Sequence, residues 1–301
     1  MNIAELSKQF AIDDVLQVTE GKGSLPFVEI TNAHASATIS LYGGQVLSYK
    51  KASQQTLLFL SNKAYYEEGK AIKGGVPICW PWFGNDPEGK GRPAHGFARN
   101  SLWQLANTQQ LENGATKVVL KLSDNEKSLA LWPYQFELEL TVIVGEQLSL
   151  ELTTKNTGDQ AFRITQALHT YFSVQSVDDV SVEGLDQKNY LDKAKANSGA
   201  EEKVQSGDVI FDGEVDRVYL DVPHELRLKQ ASSHDVLIKT AHNKTAVVWN
   251  PWKALCEQSA DLQPDDYRRF VCVETANAAS DIVQLSAGEH FTLAAVYELH
   301  G

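Results

Sequence analysis

The sequence predicts an all-β protein, built as an antiparallel sandwich or barrel, and three observations carry that reading. Apolar and polar residues alternate with period two in segment after segment, the pattern of strands with one buried face. Gly, Asn, Asp and Pro fall between those segments at short intervals, where turns are needed. Segments with helical periodicity are few.

From the amino terminus, residues 1–22 read as a lead-in, with helical spacing over 3–17 and again over 63–69. Residues 73–84, "KGGVPICWPWFG", belong to no regular element. Pro77 and Pro81 each remove a backbone donor, which excludes a helix interior and a central strand. Residues 116–122 alternate. "FELELTVIV" (136–144) then sets Phe136, Leu138, Leu140, Val142 and Val144 on one face, with Glu137, Glu139 and Thr141 on the other. Gly145-Glu146 reads as a turn into a second alternating run from Leu148. Further strand-like runs occupy 161–174, 217–222, 236–240, 245–249, 270–274 and 291–297, while 191–208 reads as a long surface loop. No repeat, low-complexity tract or linker divides the chain, so residues 1–301 are expected to form one domain.

Composition narrows the function. A hydrophobic content of 43% is ample for a core, and a net charge of −12 argues against nucleic acid and anionic membranes as partners. The first residues carry Glu5, Asp13 and Asp14 and no apolar signal, and no apolar run is long enough to span a bilayer. Cys79, Cys256 and Cys272 are widely spaced, which suits reduced thiols. A cytoplasmic protein is expected.

The motif survey is mostly negative. Gly84–Lys90 fits the first seven positions of a phosphate-binding P-loop, but Gly91 stands where Ser or Thr must hold magnesium, and prolines flank it where strand and helix belong. No Gly-x-Ser-x-Gly elbow and no His-Glu-x-x-His occurs. The eight histidines show no close metal-ligand spacing, although a sheet can gather distant ones.

Three local environments stand out. In "AFRITQALHTYFSV" (161–174), His169 shares a strand face with Thr165, Ala167 and Tyr171. The plain alternative is a half-exposed strand histidine. In "RRFVCVETAN" (268–277), Glu274 shares a face with Phe270 and Cys272, where lost hydration raises a carboxylate pKa towards the range of a general base. An ion pair with Arg268 or Arg269 is the alternative. Between 73 and 99, Lys73, Lys90, Arg92 and Arg99 outnumber Asp86 and Glu88, which suits a small anion or, more plainly, a solvated basic loop.

In order along the chain, "KGGVPICWPWFG", "HGFARNSLW" (95–103), "LHTYF" (168–172), "DRVY" (216–219), "VVWNPW" (247–252) and "VCVETAN" (271–277) resemble the glucose-6-phosphate 1-epimerases (hexose-6-phosphate mutarotases) of the galactose-mutarotase-like superfamily. The likeness runs over roughly residues 25–298. It implies a large twisted antiparallel β-sandwich and interconversion of the α and β anomers of an aldohexose 6-phosphate. His169 looks like the catalytic acid, Glu274 like the base, and His95 like an assistant at the ring oxygen. Asp216 is similar to an aspartate that binds sugar hydroxyls, and Arg99 with Lys73 would meet the phosphate. In the same loop Trp80, Trp82 or Phe83 would offer an apolar face to the sugar, with Trp82 the chosen candidate; ordinary anchoring in the core or loop is the alternative for each. This chain departs from the pattern at Lys73, where arginine is common, at Ala94, where glutamine is common, and at Thr275, where proline is common; the first two bear on substrate preference.

Ring opening of a hemiacetal needs one acid and one base, so no metal, nucleotide or other cofactor is expected, and a monomer acting on a small sugar phosphate is. An aldose 1-epimerase for unphosphorylated sugars leaves the basic window at 73–99 without purpose. A non-catalytic carbohydrate-binding module leaves His169 and Glu274 without one.

Overall fold

A computed structural model describes residues 2–51, 56–194 and 200–300. Strands dominate it, and every strand pairing within its sheets is antiparallel. Among the described residues a nine-stranded sheet runs in the order Val209–Ile210, Val180–Glu183, Glu225–Gln230, Asp235–Ala241, His290–His300, Leu148–Asn156, Phe136–Val144, Thr116–Ser123 and Gln104–Gln110. The sheet that bears the site runs Glu201–Val204, Asn189–Asp192, Val215–Leu220, Thr245–Asn250, Phe270–Asn277, Gln166–Leu168 and Ile78–Cys79, with Tyr171–Ser173 also paired to Phe270–Asn277. A four-stranded meander, Leu16–Glu20, Pro26–Thr31, Ala35–Ser40 and Gln45–Lys51, and the short pair Phe162–Ile164 with Val283–Leu285 complete the framework. No helix among the described residues is long and apolar enough to cross a membrane.

The period-two pattern decides which faces meet. Leu138, Leu140, Leu150 and Leu293 from the large sheet, Val248, Val271 and Val273 from the site sheet, and Val28, Ile39 and Val46 from the meander belong to one continuous apolar cluster. Each side chain so enclosed contributes about 1.5–3 kcal/mol. On the outer face, Glu137 and Glu139 pair with Lys121 at 3.1 and 3.4 Å.

Several expectations need correction. The helix expected over 3–17 is confined to Ile3–Phe10: Ala11 is extended, and Ile12 instead exchanges backbone hydrogen bonds with Leu16 as the first strand begins. No helix forms over 63–69, where Tyr66 packs against Phe27 and Gly69 adopts φ +87°. The surface loop expected over 191–208 contains the edge strand Glu201–Val204 and the end of Asn189–Asp192; residues 195–199 lie outside the described residues. Two short helices carried too little periodicity to be foreseen. Glu126–Leu131 opens on a capping box between Asn125 and Ser128, and at Trp252–Gln258 the Asn250 side chain accepts from Trp252 N.

Candidate active site

The site begins as a row across neighbouring strands. Asp216 stands opposite Trp249, Trp249 opposite Cys272, and Tyr171 faces Cys272 from the other side. Glu274, two residues beyond Cys272, lies on the same face, opposite Val247. The floor around it is apolar, a buried cluster of Cys79, Ala167, Val218, Val247, Ala276 and Ala278. Burial pushes the Glu274 carboxyl well above its ordinary range; the negative charge of Asp216 acts in the same direction, while Lys193 and Arg99 oppose it. Neither Arg268 nor Arg269 pairs with it: Arg268 binds Asp178 and Arg269 binds Asp266.

The run 161–174 is not one strand. It breaks at Thr165, whose N–H donates to Pro81 O at 3.1 Å, and again at His169 and Thr170. At the second break His169 N donates to Pro77 O at 3.0 Å and the Thr170 hydroxyl meets the Tyr297 hydroxyl at 2.6 Å. His169 is therefore 8% exposed, not half-exposed as a regular strand position would be. Its ring stacks on Tyr171, with centroids 4.9 Å apart and planes 9° from parallel, and meets the edge of Trp249. Nδ1 of His169 lies 3.4 Å from Oε1 of Glu274. Neither that Nδ1 nor Oε2 of Glu274 has a hydrogen-bond partner. Two adjacent buried polar atoms left open in this way are poised for a ligand. Burial holds the His169 imidazole well below its usual pKa, helped by His95, Arg99 and Lys73.

His95 sits 5.7 Å from His169, ring centre to ring centre, at φ +61°, a left-handed conformation that costs a non-glycine residue about 1–3 kcal/mol. The next residue cannot share that burden with a side chain, because a Cβ on Gly96 would come within 1.9 Å of Trp80 O. Nδ1 of His95 accepts from Gly84 N at 3.3 Å, so the neutral ring carries its proton on Nε2. Its pKa is lowered to about 3, first by burial, then by Arg99, Lys193 and Lys73. The unfolded chain takes up a proton near pH 6.5 that the folded His95 refuses until about pH 3, so His95 makes the fold lose stability as pH falls through that window. His95→Gln is expected to reduce the loss of stability between pH 6.5 and 5 by about 1–2 kcal/mol, at 1.36 kcal/mol per unit. Denaturant unfolding of both proteins at the two pH values reads this directly.

Of the four cations in the basic window, two turn to structural work. Arg92 donates to Asp86 and Glu88, and Lys90 pairs with Glu88. The other two meet. Lys73, 3.4 Å from Asp261, and Arg99 line a cavity of about 260 Å³ together with Lys70, Tyr65 and Tyr171. Arg99 spends one terminal nitrogen on Ala94 O, at 2.8 Å, and its buried Nε has no partner. Tyr171 belongs both to this cavity and to the stack under His169, so the cation pocket adjoins the His169–Glu274 pair. A larger cavity of about 940 Å³, behind Phe97 and Leu102, contains neither His169 nor Glu274.

Trp82 does not face the cleft. It is 3% exposed, its Nε1 donates to Pro93 O at 2.9 Å, and the Arg92 guanidinium covers its ring at 4.3 Å. Trp80 is fully buried and donates to Thr154. Of these three loop aromatics the one beside the site is Phe83, whose ring meets His95 at 4.9 Å. Asp216 is half-buried in the same row of strands, with its pKa raised chiefly by burial, an effect that Lys193 opposes in part.

Lys193 is the group that the sequence pattern hid. Its N–H donates to Asp216 O at 2.8 Å, and its Nζ reaches over Phe83, 5.5 Å from the ring centre. Its charge acts on His95, Asp216 and Glu274. In a stretch that reads as a polar loop, one lysine among several carries no distinguishing signal.

The match to known proteins spans almost the whole molecule. The family model for aldose 1-epimerase fits residues 26–298. A protein of Cenchrus ciliaris provisionally named glucose-6-phosphate 1-epimerase is 39% identical over 265 residues, covering 85% of this chain and 78% of its own. A protein of Escherichia coli K12 with the same provisional name is 35% identical over 257 residues, covering 85% of this chain and 84% of its own. The crystal structure of a provisionally named mutarotase, YeaD, from Salmonella typhimurium superposes with a TM-score of 0.89 at 31% identity, over 97% of this chain and 95% of that one. The structure is a galactose mutarotase-like β-sandwich, and the chain belongs to the aldose 1-epimerase family.

Proposed function

We propose that the protein interconverts the α and β anomers of glucose 6-phosphate and related aldohexose 6-phosphates. The observation that carries the phosphate is the pocket of Lys73 and Arg99 joined through Tyr171 to the His169–Glu274 pair. A neutral sugar gives that pocket no occupant. The family membership and the names of the relatives point the same way.

Opening the ring breaks the bond between C1 and the ring oxygen. Glu274 takes the proton of the C1 hydroxyl, His169 gives one to the ring oxygen, and C1 becomes an aldehyde. Rotation about C1–C2 turns the other carbonyl face to the C5 hydroxyl, and the two proton transfers run backwards. Each group supplies about 10²–10⁴-fold when positioned. The pair holds one proton between them, and in the empty site burial favours placing it on Glu274, with both groups uncharged. A phosphate on Lys73 and Arg99 offsets the positive charges that depress His169 and so favours the imidazolium the opening step uses. His95 offers Nε2–H beside the ring oxygen, and Asp216 receives sugar hydroxyls. Phe83, in place of Trp82, lines the apolar side. The buried, unpaired thiols of Cys79, Cys256 and Cys272 are in keeping with a reducing compartment such as the cytoplasm.

The test is exchange between anomers, followed by saturation-transfer NMR on glucose 6-phosphate beside free glucose and galactose. Exchange on free sugars at equal efficiency would overturn the phosphate reading. In the same assay Lys193→Met is expected to lower kcat/KM on glucose 6-phosphate about 10-fold, the size of one charged hydrogen bond. Removing a cation that lowers the Glu274 pKa should also move the acidic limb of the pH profile to higher pH. An unmoved limb would leave Lys193 outside the site.

A further inference from the structure

The acid–base pair has a third neighbour that ring opening does not use. Cys272 precedes Glu274 by two residues on the same strand face, and a ring nitrogen of His169, the Cys272 sulfur and a Glu274 carboxylate oxygen all lie within 4.8 Å of one another. All three residues are buried, and the free Nδ1 of His169 and Oε2 of Glu274 leave coordination capacity unspent. We propose that these three side chains form an inhibitory site for a borderline-soft divalent cation such as Zn²⁺, with Cys272 as its selective ligand.

Nitrogen, sulfur and carboxylate donors together suit Zn²⁺, which binds three protein ligands and leaves a fourth position to water or substrate. Tetrahedral bonds of about 2.0–2.3 Å put neighbouring donor atoms roughly 3.3–3.8 Å apart. His169 and Glu274 already stand at 3.4 Å, and the sulfur, within 4.8 Å of both, has to draw in by at most about 1–1.5 Å. Mg²⁺ prefers octahedral oxygen and keeps its waters, and gains little here. Bound Zn²⁺ occupies the imidazole lone pair and the carboxylate, the two groups that must otherwise exchange protons with the sugar. The thiol gives up its proton on ligation. Lys193 and Arg99, whose charges act on Glu274, oppose the cation and keep the binding reversible. Inhibition, as distinct from binding, rests on the acid–base roles proposed above.

The experiment combines a rate and a spectrum. EDTA should leave anomer exchange unchanged, Zn²⁺ should suppress it reversibly, and Mg²⁺ at the same concentration should not. Cys272→Ala should keep the basal rate within about threefold, because it touches no reacting atom in the mechanism, yet raise the half-inhibitory Zn²⁺ concentration at least about 10-fold, the least expected when a metal loses support. Cys272→Ser serves the same purpose should the alanine variant fold poorly. Independently of activity, Co²⁺ should give a thiolate-to-metal absorption band in the wild type that is absent from both variants. A Co²⁺ band with no anomer exchange in the metal-free enzyme would sink the function and keep the metal site. Equal Zn²⁺ sensitivity in wild type and variants, or no band, overturns the site.

Discussion

Glu274→Gln and His169→Asn each lower anomer exchange on glucose 6-phosphate by about 100-fold or more, while circular dichroism and binding of the sugar phosphate stay close to wild type. The estimate is the usual range for one positioned acid or base, and a variant that kept more than about a tenth of the rate would lose its assigned role. Stability gives a second reading. The folded Glu274 carboxyl holds its proton to a higher pH than the unfolded one, so the fold is penalised progressively as pH rises above the ordinary carboxylate value. Glutamine has no charge to desolvate. Glu274→Gln should therefore be inactive yet melt at a higher temperature than wild type near pH 8, with the gap closing towards pH 4, which is the trade between stability and activity expected of a strained site.

Arg99→Ala reduces kcat/KM on glucose 6-phosphate by about 10- to 150-fold, from the roughly 1.5–3 kcal/mol of a charged hydrogen bond, and leaves whatever activity there is on free glucose almost unchanged. The unpartnered Nε of Arg99 is what makes the larger part of that range reasonable, because the wild-type guanidinium has donors to spare and loses little to bind an oxyanion. Lys73→Ala acts in the same direction and less strongly, since lysine has no fork and its Nζ already answers to Asp261. Lys73→Arg is tolerated. Equal losses on both substrates after Arg99→Ala would assign Arg99 to the structure and remove the main support for a phosphorylated substrate.

Five strands of the large sheet were legible because each buries one face against the core and leaves the other in water, so Leu138 and Glu139 announce themselves by alternation; Gln104–Gln110, Val180–Glu183, Val209–Ile210 and Glu225–Gln230 in the same sheet were missed. The four-stranded meander was missed, and "ASATIS" (35–40) shows why: apart from Ile39 its buried positions are the small residues Ala35, Ala37 and Ser40, which do not contrast strongly in character with Ser36 and Thr38 between them. In the site, Glu274 was readable as a carboxylate within an apolar strand and Arg99 as a cation in a conspicuous window. Lys90 and Arg92 looked equivalent to Arg99 along the chain, and only the fold turns them onto Asp86 and Glu88. Trp82 was misassigned because a tryptophan in a proline-rich loop reads the same whether its face is covered or open. Here Arg92 covers it. The break at His169 left no trace in residue type, since the carbonyl that holds it belongs to Pro77, remote in sequence.

The position of strand His290–His300 has a consequence for how the molecule comes into being. It lies in the interior of the nine-stranded sheet, hydrogen-bonded on one side to Leu148–Asn156 and on the other to Asp235–Ala241. A growing chain that has not yet emerged past residue 290 therefore holds two half-sheets with facing open edges and nothing to join them. Glu274 has been synthesised by then, but the wall behind its sheet has not closed: the Tyr297 hydroxyl, which meets the Thr170 hydroxyl beside His169, is still missing. This strand acts as a keystone, and the His169–Glu274 pair acquires its geometry only when translation has delivered it.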